Sequence, residues 1–313
     1  MTASELRSVL RRHGLRLGRR LGQHFLCAPY ILHRIVDAAE IVCGDAVLEV
    51  GPGVGGLTRE LVTTGAYVTA VELDLALRPA LLEVLTAQMD GITPRPCAPA
   101  GSVVSVLPDL GSDMVGDRVL ILWTDAVGLP WSRLALMMPG PWCICSNLPY
   151  YITGPFLASL FRGELPWERA VLLVQAEAAE RMAAVPGSKA YGAFTCLVRY
   201  HAEVERLLSV PPQAFVPPPL VASAVVRLRR RITPPTLAPR EPLLRVVRAA
   251  FAHRRKTLRN ALAAGLAIPH HPLEDVLAAA GIAPMRRGET LDLVEFGHLT
   301  QCLLSAGFLS VIG

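Results

Sequence analysis

A glycine-rich turn between a short apolar segment and an apparent helix start constrains the fold most strongly. The segment Ala46–Val50 runs directly into Gly51–Gly56, where four of six residues are glycine. Further apolar segments at 67–71 and 119–123 each end within two residues of an acidic side chain. Such segments, alternating with helical stretches, are typical of a parallel, doubly wound sheet. We therefore predict an α/β chain with a Rossmann-like sheet.

The chain changes character after residue 231. Strand-like segments before that point lie at 142–146, 169–174, 204–210 and 223–228. A proline-rich linker follows at 233–239. Beyond it, helical apolar spacing is present at 241–252, 255–265, 272–280 and 292–305. We predict a first domain over 1–232, with an insertion at 88–118, and a small α-helical domain over 233–313.

The charge of the chain favours a polyanionic partner. Its 313 residues carry a formal charge of +5, and lysine occurs only at positions 189 and 256, so the positive charge is almost all arginine. Arginine makes fork-shaped contacts to phosphate groups. An arginine-rich composition inherited from the genome is the alternative explanation.

The high hydrophobic content does not indicate a membrane protein. No uninterrupted apolar run reaches the ~18 residues that a membrane-spanning helix needs. The sequence has no signal-peptide core, and its seven cysteines include no Cys-x-x-Cys pair. We expect a cytoplasmic protein with reduced cysteines and no zinc site. The arginine-rich first 20 residues leave an organellar transit peptide as an alternative.

The glycine-rich turn predicts a site for a nucleotide-like cofactor. Glycines let the backbone approach a ligand closely, and the N-terminus of the next helix favours a carboxylate or a phosphate. The pattern Glu49-x-Gly51-x-Gly53 has an acid inside the strand, unlike the Gly-x-Gly-x-x-Gly of dinucleotide sites. This pattern suits the amino-acid end of S-adenosylmethionine better than a pyrophosphate.

Acidic residues at two strand ends extend this prediction. Glu72 ends the second strand and can accept hydrogen bonds from both ribose hydroxyls. Asp125 follows the third strand and can accept one from the adenine amino group. Asp109 is a rival for the adenine position, although the strand before Asp125 is better defined. The expected cofactor contacts also include Leu73 and Ala126, which follow these acids, and Asn147.

The tetrapeptide Asn147–Tyr150 has the composition of a site for an exocyclic amino group. The Asn147 side chain and the Leu148 carbonyl can each accept a hydrogen bond from an amine, and Pro149 stiffens the backbone. Tyr150 can stack on a base, which is worth ~1–3 kcal/mol. A strand-to-loop turn with a buried tyrosine is the alternative for this tetrapeptide taken alone.

Two other segments are candidates for the same site. Residues 21–26 include His24 and precede the first helix of the domain, so we expect a lid over the cofactor rather than a metal or acid–base role. Phe215 lies in the proline-rich stretch 210–219. It is either a second stacking wall opposite Tyr150 or a core residue, and the sequence does not distinguish the two.

Basic residues cluster beside the linker and on the first two C-terminal helices. Six of them fall within fifteen positions of those helices. Such a cluster favours a phosphate-binding face, with an ordinary solvated helix face as the alternative. The expected RNA-binding residues are Arg227, Arg245, Arg248, Arg254, Arg255, Lys256 and Arg259.

Together these segments resemble the ribosomal RNA adenine N6-dimethyltransferases of the KsgA type, in their bacterial branch. The resemblance covers residues 17–305. As an ordered set, the matching blocks are specific to that family. They are Leu21–Leu26, Val47–Gly53, Val71–Asp74, Asn147–Tyr150, Gly187–Gly192, Phe215–Pro219, Ser223–Leu228 and Arg254–Asn260.

The resemblance implies a class I methyltransferase that uses S-adenosylmethionine. Its expected reaction is N6,N6-dimethylation of two adjacent adenosines in the 3′-terminal hairpin loop of small-subunit ribosomal RNA. It also implies a role in rRNA processing and ribosome biogenesis, as a monomeric checkpoint on the immature small subunit.

The resemblance also implies roles for individual residues. The amino-acid end of the cofactor is contacted by His24 and Leu26, its ribose by Glu72 and its adenine by Asp125. The target base is held by Asn147, Leu148, Tyr150 and Phe215.

The chain departs from the family pattern in two places, and three alternative functions are open. Residues 88–118 separate the Glu72 and Asp125 motifs, and Leu220 and Ala222 stand where the family often has Lys and Asp. A large-subunit rRNA methyltransferase of macrolide resistance is disfavoured by the Gly187–Gly192 block and the basic helices. A non-catalytic assembly or transcription factor is disfavoured by the intact motifs. A DNA adenine methyltransferase usually has Pro where Leu148 stands.

Overall fold

The computed structural model describes residues 1–15, 23–89, 109–138 and 140–310. The chain forms two compact units. The first comprises Met1–Ala179 and Glu205–Arg230, and the second comprises Glu180–Val204 and Arg231–Gly313. The predicted boundary at 232 lies close to the observed boundary between Arg230 and Arg231. The prediction placed residues 180–204 in the first domain, whereas they belong to the second unit.

The described residues form ten strands, which lie in the first unit apart from the first three residues of β8. They are β1 Phe25–Leu26, β2 Ala46–Val50, β3 Tyr67–Glu72, β4 Ser112–Val115, β5 Val119–Trp123, β6 Trp142–Asn147, β7 Trp167–Gln175, β8 Ala202–Val210, β9 Phe215–Val216 and β10 Ser223–Arg230. The main sheet of the described residues has the order β4-β5-β3-β2-β6-β7-β10-β8. Its centre, from β5 to β7, is parallel, whereas β4 and β10 run antiparallel to β5 and β7. The prediction of a doubly wound, Rossmann-like sheet is therefore confirmed.

The central strands are apolar because helices cover the sheet. Every residue of β2 and β3 is buried, as expected for parallel strands packed on both faces. The helices that begin before residue 180 are α1 Ala3–Arg12, α2 Pro29–Ala39, α3 Gly56–Thr63, α4 Arg78–Met89, α5 Trp131–Ala135, α6 Thr153–Arg162 and α7 Ala176–Ala183. Apolar side chains such as Ile35 of α2 and Leu61 of α3 pack on the strands in one core.

The β4 strand was not predicted. It pairs with β5 through a short hairpin, within the predicted insertion 88–118, where the sequence shows no clear element. Asp113 of β4 accepts hydrogen bonds from the Trp123 indole at 2.7 Å and from Arg78. A four-residue edge strand with exposed polar positions has no clear apolar alternation, so its pairing is visible only in the fold. Residues 90–108 of the predicted insertion lie outside the described residues.

The arginine-rich N-terminus forms a helix that belongs to the first unit. Leu6, Val9 and Leu10 of α1 are buried in a small core that also contains Val54 and Leu77. A capping box between Thr2 and Glu5 fixes the start of this helix. Residues 16–22, which include the first two residues of the predicted lid, lie outside the described residues.

The second unit is helical, as predicted. Its helices are α8 Ala193–His201, α9 Arg240–Ala252, α10 Leu258–Leu266, α11 His270–Ala279 and α12 Leu293–Ser305. Thr257 caps α10 and Asp292 caps α12, which explains where these two helices begin. Their apolar faces meet in one core around Leu243, Leu262 and Phe296.

Among the described residues, no helix is both long enough and apolar enough to cross a membrane. The expectation of reduced cysteines holds for five free thiols, Cys27, Cys143, Cys145, Cys196 and Cys302. It is wrong at Cys43, which is disulfide-bonded.

Candidate active site

A cavity opens where β2, β3, β5 and β6 end, and it encloses about 1060 Å³ including its mouth. Ligands of doubly wound sheets bind at this edge, outside the carboxyl ends of the strands. All ten predicted cofactor residues line the cavity. They are His24, Leu26, Glu49, Gly51, Gly53, Glu72, Leu73, Asp125, Ala126 and Asn147. Leu148, Pro149 and Tyr150 line it too, so the two predicted sites share one space.

The glycine-rich turn needs glycine at two positions for packing as well as for conformation. Gly51 has φ +70° and Gly53 has φ +60°, in the left-handed region that L side chains avoid. A Cβ on Gly53 would lie 2.9 Å from the ring of Phe25, and one on Gly51 would lie 3.3 Å from Pro149. The turn is therefore in close contact with both the lid segment and the tetrapeptide.

The carboxylate of Glu72 is held in a fixed orientation. Its Oε2 accepts a hydrogen bond from the Gly53 N–H at 3.1 Å, and its Oε1 accepts one from the Asp74 N–H at 2.9 Å. Burial raises the pKa of Glu72, and these two N–H donors lower it in part. The side chain at the end of β3 is thus locked into the cavity wall before any ligand is bound.

Glu49 is the most unusual polar group of the cavity. It lies inside β2 and is only 1% exposed. Its Oε2 has no hydrogen-bond partner among the described residues. Burial is the main cause that raises the pKa of this carboxyl to about 8; the nearby Glu72 contributes in the same direction, and Thr58 lowers the pKa in part. A buried acceptor without a partner in a cavity wall is suited to a cationic ligand group.

The structure separates the two candidates for the adenine position. Asp125 lines the cavity, and its side chain accepts a hydrogen bond from the Val127 N–H at 2.9 Å. Asp109 is not among the lining residues, and its exposed carboxylate forms an ion pair with Arg133 at 3.2 Å. The geometry therefore favours Asp125.

The tetrapeptide is attached to the sheet and to the lid. The Leu148 N–H donates to the Leu173 carbonyl of β7 at 3.1 Å. The Asn147 amide nitrogen donates to the His24 carbonyl at 3.1 Å. The Tyr150 hydroxyl lies 2.6 Å from the Ser223 hydroxyl. Each of these contacts limits the movement of the loop that follows β6.

The lid segment is a short strand fixed by a second chain segment. In a two-stranded sheet, β1 pairs antiparallel with β9, and Leu26 lies opposite Phe215. The His24 Nδ1 contacts the Pro217 carbonyl at 2.7 Å, and the His24 ring stacks on Tyr150 at a centroid distance of 5.8 Å.

The described residues contain no group of three or more side chains suited to a metal ion.

Of the two alternatives for Phe215, the structure shows the core position rather than a stacking wall. Its side chain is 2% exposed and packs in the core of the first unit with Leu26 and Val210. Phe215 is also absent from the lining of the cavity. Pairing between β1 and β9 turns the ring inward, and nothing in the local sequence indicates that direction.

Several residues of the site were not predicted. Met1, Phe25 and Tyr151 line the cavity, and so does Gln23, which donates to the Asp74 carboxylate at 2.8 Å. Gln23 and Phe25 belong to the lid block, so their position was implied although no role was assigned. Ser223 lies 73 residues from Tyr150, and no sequence signal indicates this contact.

Three of the predicted RNA-binding residues are engaged within their own units. Arg227 is paired with Glu40 and Glu205. In the second unit, Arg254 is paired with Glu289 and donates to three carbonyl groups of residues 188–191, and Arg259 is paired with Glu274. These three side chains stabilise the fold around them, so the ion pairs account for their positions and no RNA contact is needed to explain them.

The other four predicted RNA-binding residues are available to a ligand. They are Arg245, Arg248, Arg255 and Lys256, and all are exposed. None of the four forms an ion pair with a described residue. No carboxylate of the described residues compensates these side chains, so they are free to contact phosphate groups.

The sequence matches the family model described as ribosomal RNA adenine dimethylase over residues 14–92 and 117–297. The unmatched stretch, 93–116, lies within the predicted insertion. A relative from Pelotomaculum thermopropionicum, called ribosomal RNA small subunit methyltransferase A, is 41% identical over 96% of each chain. A protein of that name from Geobacillus thermodenitrificans is 36% identical over 97% of this chain and 96% of its own.

Two solved structures share the fold. A dimethyladenosine transferase from Plasmodium falciparum aligns with a TM-score of 0.71 at 24% identity, over 91% of this chain and 98% of its own. The 23S rRNA methyltransferase ErmE aligns with a TM-score of 0.62 at 24% identity, over 89% and 99%. At this level of identity, the likeness establishes the fold alone.

Proposed function

The chain belongs to the ribosomal RNA adenine dimethylase family, and we propose that it dimethylates N6 of two adjacent adenosines in small-subunit ribosomal RNA. The target is the 3′-terminal hairpin loop, and the methyl donor is S-adenosylmethionine. The observation that carries the proposal is the position of Asn147–Tyr150 in the wall of the cavity that contains the predicted cofactor residues. The names of the near-full-length relatives support the small subunit as the target.

The chemistry of the cavity fits S-adenosylmethionine. Glu49 provides a buried carboxylate oxygen without a partner, which suits a cationic group of the ligand. Glu72 is assigned to the ribose hydroxyls and Asp125 to the adenine amine, because both line the cavity with fixed side chains. When bound, the cofactor supplies an electrophilic methyl group on a sulfonium.

The main task of the protein is then to align the target amine, whose lone pair is delocalised into the adenine ring. The Asn147 amide nitrogen is engaged with His24, so its amide oxygen is left to accept one N–H of the base. The Leu148 carbonyl accepts the other. These two contacts direct the lone pair towards the methyl group, and such positioning can contribute ~7–11 kcal/mol to lowering a barrier.

Tyr150 supplies the stacking surface for the base. The tyrosine ring fixes the plane of the adenine and stabilises the positive charge that develops on the adenine during transfer. No strong general base is required, because the amine becomes acidic once it has been methylated. After the first transfer one N–H remains, so a single acceptor is enough to orient the base for the second.

The substrate is a base that has left its stack. A hairpin loop offers adenines that can be extruded, as base-modifying enzymes require. Arg245, Arg248, Arg255 and Lys256 provide phosphate contacts on the second unit. The family resemblance supports the immature small subunit as the substrate particle and a monomeric, cytoplasmic enzyme.

Methyl transfer to separated ribosomal subunits tests the proposal. Purified protein and labelled S-adenosylmethionine are incubated with small or large subunits that lack dimethyladenosine, and label is expected on the small subunit alone. Label only on the large subunit would place the chain with the resistance methyltransferases. Cofactor binding without label on either subunit would favour a non-catalytic assembly factor.

A further inference from the structure

We infer that Ser223 is a positioning residue for this reaction, because its hydroxyl fixes the Tyr150 ring on which the target adenine stacks. The inference rests on the proposed function, in which Tyr150 holds the base. Its structural basis is a direct side-chain contact at the rim of the cavity. The sequence placed Ser223 in a strand and assigned it no role.

The contact between the two hydroxyls is well suited to this task. The Tyr150 and Ser223 oxygens are 2.6 Å apart, within the normal range for an O–H···O hydrogen bond. Ser223 is fully buried, so water does not compete for its hydroxyl. A hydrogen bond at the far end of the ring restricts both side-chain torsions of the tyrosine and hence the plane of stacking.

The topology of the sheet explains how Ser223 reaches this position. β10 runs antiparallel to β7, so it begins at the edge where the parallel strands end. Ser223 is the first residue of β10 and lies opposite Gln175, the last residue of β7. The same β7 strand holds the other end of the tetrapeptide, through the bond from Leu148 to Leu173. Two neighbouring strands therefore hold the tetrapeptide at both ends.

A second contact, from His24 of the lid segment, supports the Tyr150 ring. The His24 ring stacks against Tyr150 with an interplanar angle of 25°. His24 is itself held at Nδ1 by the Pro217 carbonyl, 2.7 Å away and six residues before Ser223. One face of Tyr150 is thus covered by a fixed ring, which leaves the opposite face for the adenine.

Kinetics of matched variants test the inference. Ser223→Ala and Tyr150→Phe are each expected to lower kcat about tenfold and to leave the affinity for S-adenosylmethionine unchanged. The double variant should lose no more than either single one, because both changes remove the same contact. Thr300→Val is the control, since this buried hydroxyl in α12 of the second unit donates to the Phe296 carbonyl and does not line the cavity.

A spectroscopic measurement tests the contact independently of activity. The protein is labelled with 3-fluorotyrosine, and the fluorine resonance of Tyr150 is assigned by its loss in Tyr150→Phe. Ser223→Ala should shift that resonance and Thr300→Val should not.

The two readouts distinguish the possible failures. Full kcat in Ser223→Ala, or losses that multiply to about a hundredfold in the double variant, would overturn the positioning role. An unchanged Tyr150 resonance in Ser223→Ala would overturn the contact itself. If the unmodified protein methylates neither subunit, the proposed function fails, whereas the fluorine spectrum still decides whether Ser223 fixes Tyr150.

Discussion

Replacing Glu49 by Gln should stabilise the cofactor-free protein and weaken its binding of S-adenosylmethionine. Glu49 is 1% exposed, and its Oε2 has no partner among the described residues. Burial raises the pKa of the Glu49 carboxyl from its ordinary value of 4.5 to about 8. At neutral pH the folded, cofactor-free chain therefore keeps a proton on Glu49.

The sign and size of the effect follow from proton linkage. Between pH 4.5 and about 8 the folded chain retains a proton on Glu49 that the unfolded chain releases. The free energy of unfolding therefore falls as the pH rises through this window. Each pH unit corresponds to about 1.4 kcal/mol, so the destabilisation at pH 7 is on the order of 3 kcal/mol. Gln has nearly the same shape and no charge, so it avoids this destabilisation.

Chemical unfolding of the cofactor-free protein at several pH values measures this difference. Glu49→Gln should exceed the unmodified protein in stability by ~3 kcal/mol at pH 7, and the difference should vanish near pH 4.5. Glu164→Gln, at an exposed position, serves as the control and should show no such pH-dependent gain. A variant that is less stable at pH 7, or a gain that does not depend on pH, would refute the reasoning.

Cofactor binding gives the second half of this prediction. A cationic ligand group next to Glu49 favours the ionised carboxylate, so binding at neutral pH should release a proton. Titration calorimetry in two buffers of different ionisation enthalpy should detect that proton for the unmodified protein and not for Glu49→Gln. The dissociation constant of the variant should rise about tenfold or more, since a charge-assisted contact is worth roughly 1.5–3 kcal/mol.

Three further predictions concern the other parts of the site. Asn147→Ala should abolish methylation, because its amide oxygen is assigned to the target amine, while calorimetry shows nearly unchanged cofactor affinity, because the other nine predicted cofactor residues remain; retained turnover would contradict that assignment. Asp125→Ala should weaken cofactor binding about tenfold, as expected for one lost hydrogen bond to a charged group, and Asp109→Ala should leave it unchanged. Arg255→Ala should lower the slope of log affinity against log salt for small-subunit RNA by about one, whereas Arg227→Ala, whose guanidinium is engaged by Glu40 and Glu205, should change the slope little.

The convergence of the predicted cofactor residues on one cavity could be predicted from sequence because most of them lie at or near the ends of parallel strands. The parallel strands of a doubly wound sheet present their carboxyl ends at one edge, so Glu49, Glu72 and Asp125 had to converge there once the strands were recognised. Strand quality favoured Asp125 over Asp109, and Asp125 is the one that lines the cavity. The position of the tetrapeptide after β6 followed from the same rule.

The features that sequence reasoning missed or left open depend on pairing between distant segments. The sequence could not choose between the two alternatives for Phe215, because the direction of its ring is set by its partner Leu26 in another strand and neighbouring prolines carry no information about that partner. Counting basic residues likewise identified a charged region but not which charges are compensated. Arg254 and Arg259 lie in the same run as Arg255, yet only the fold brings Glu289 and Glu274 against them.

The most direct test of the account is mass spectrometry of the 3′-terminal fragment of small-subunit ribosomal RNA. Subunits that lack the modification are treated with S-adenosylmethionine and either the unmodified protein or Asn147→Ala. The account predicts two adjacent dimethyladenosines in the hairpin loop with the unmodified protein and none with the variant. Methylation at another site, or two dimethyladenosines with Asn147→Ala, would contradict it.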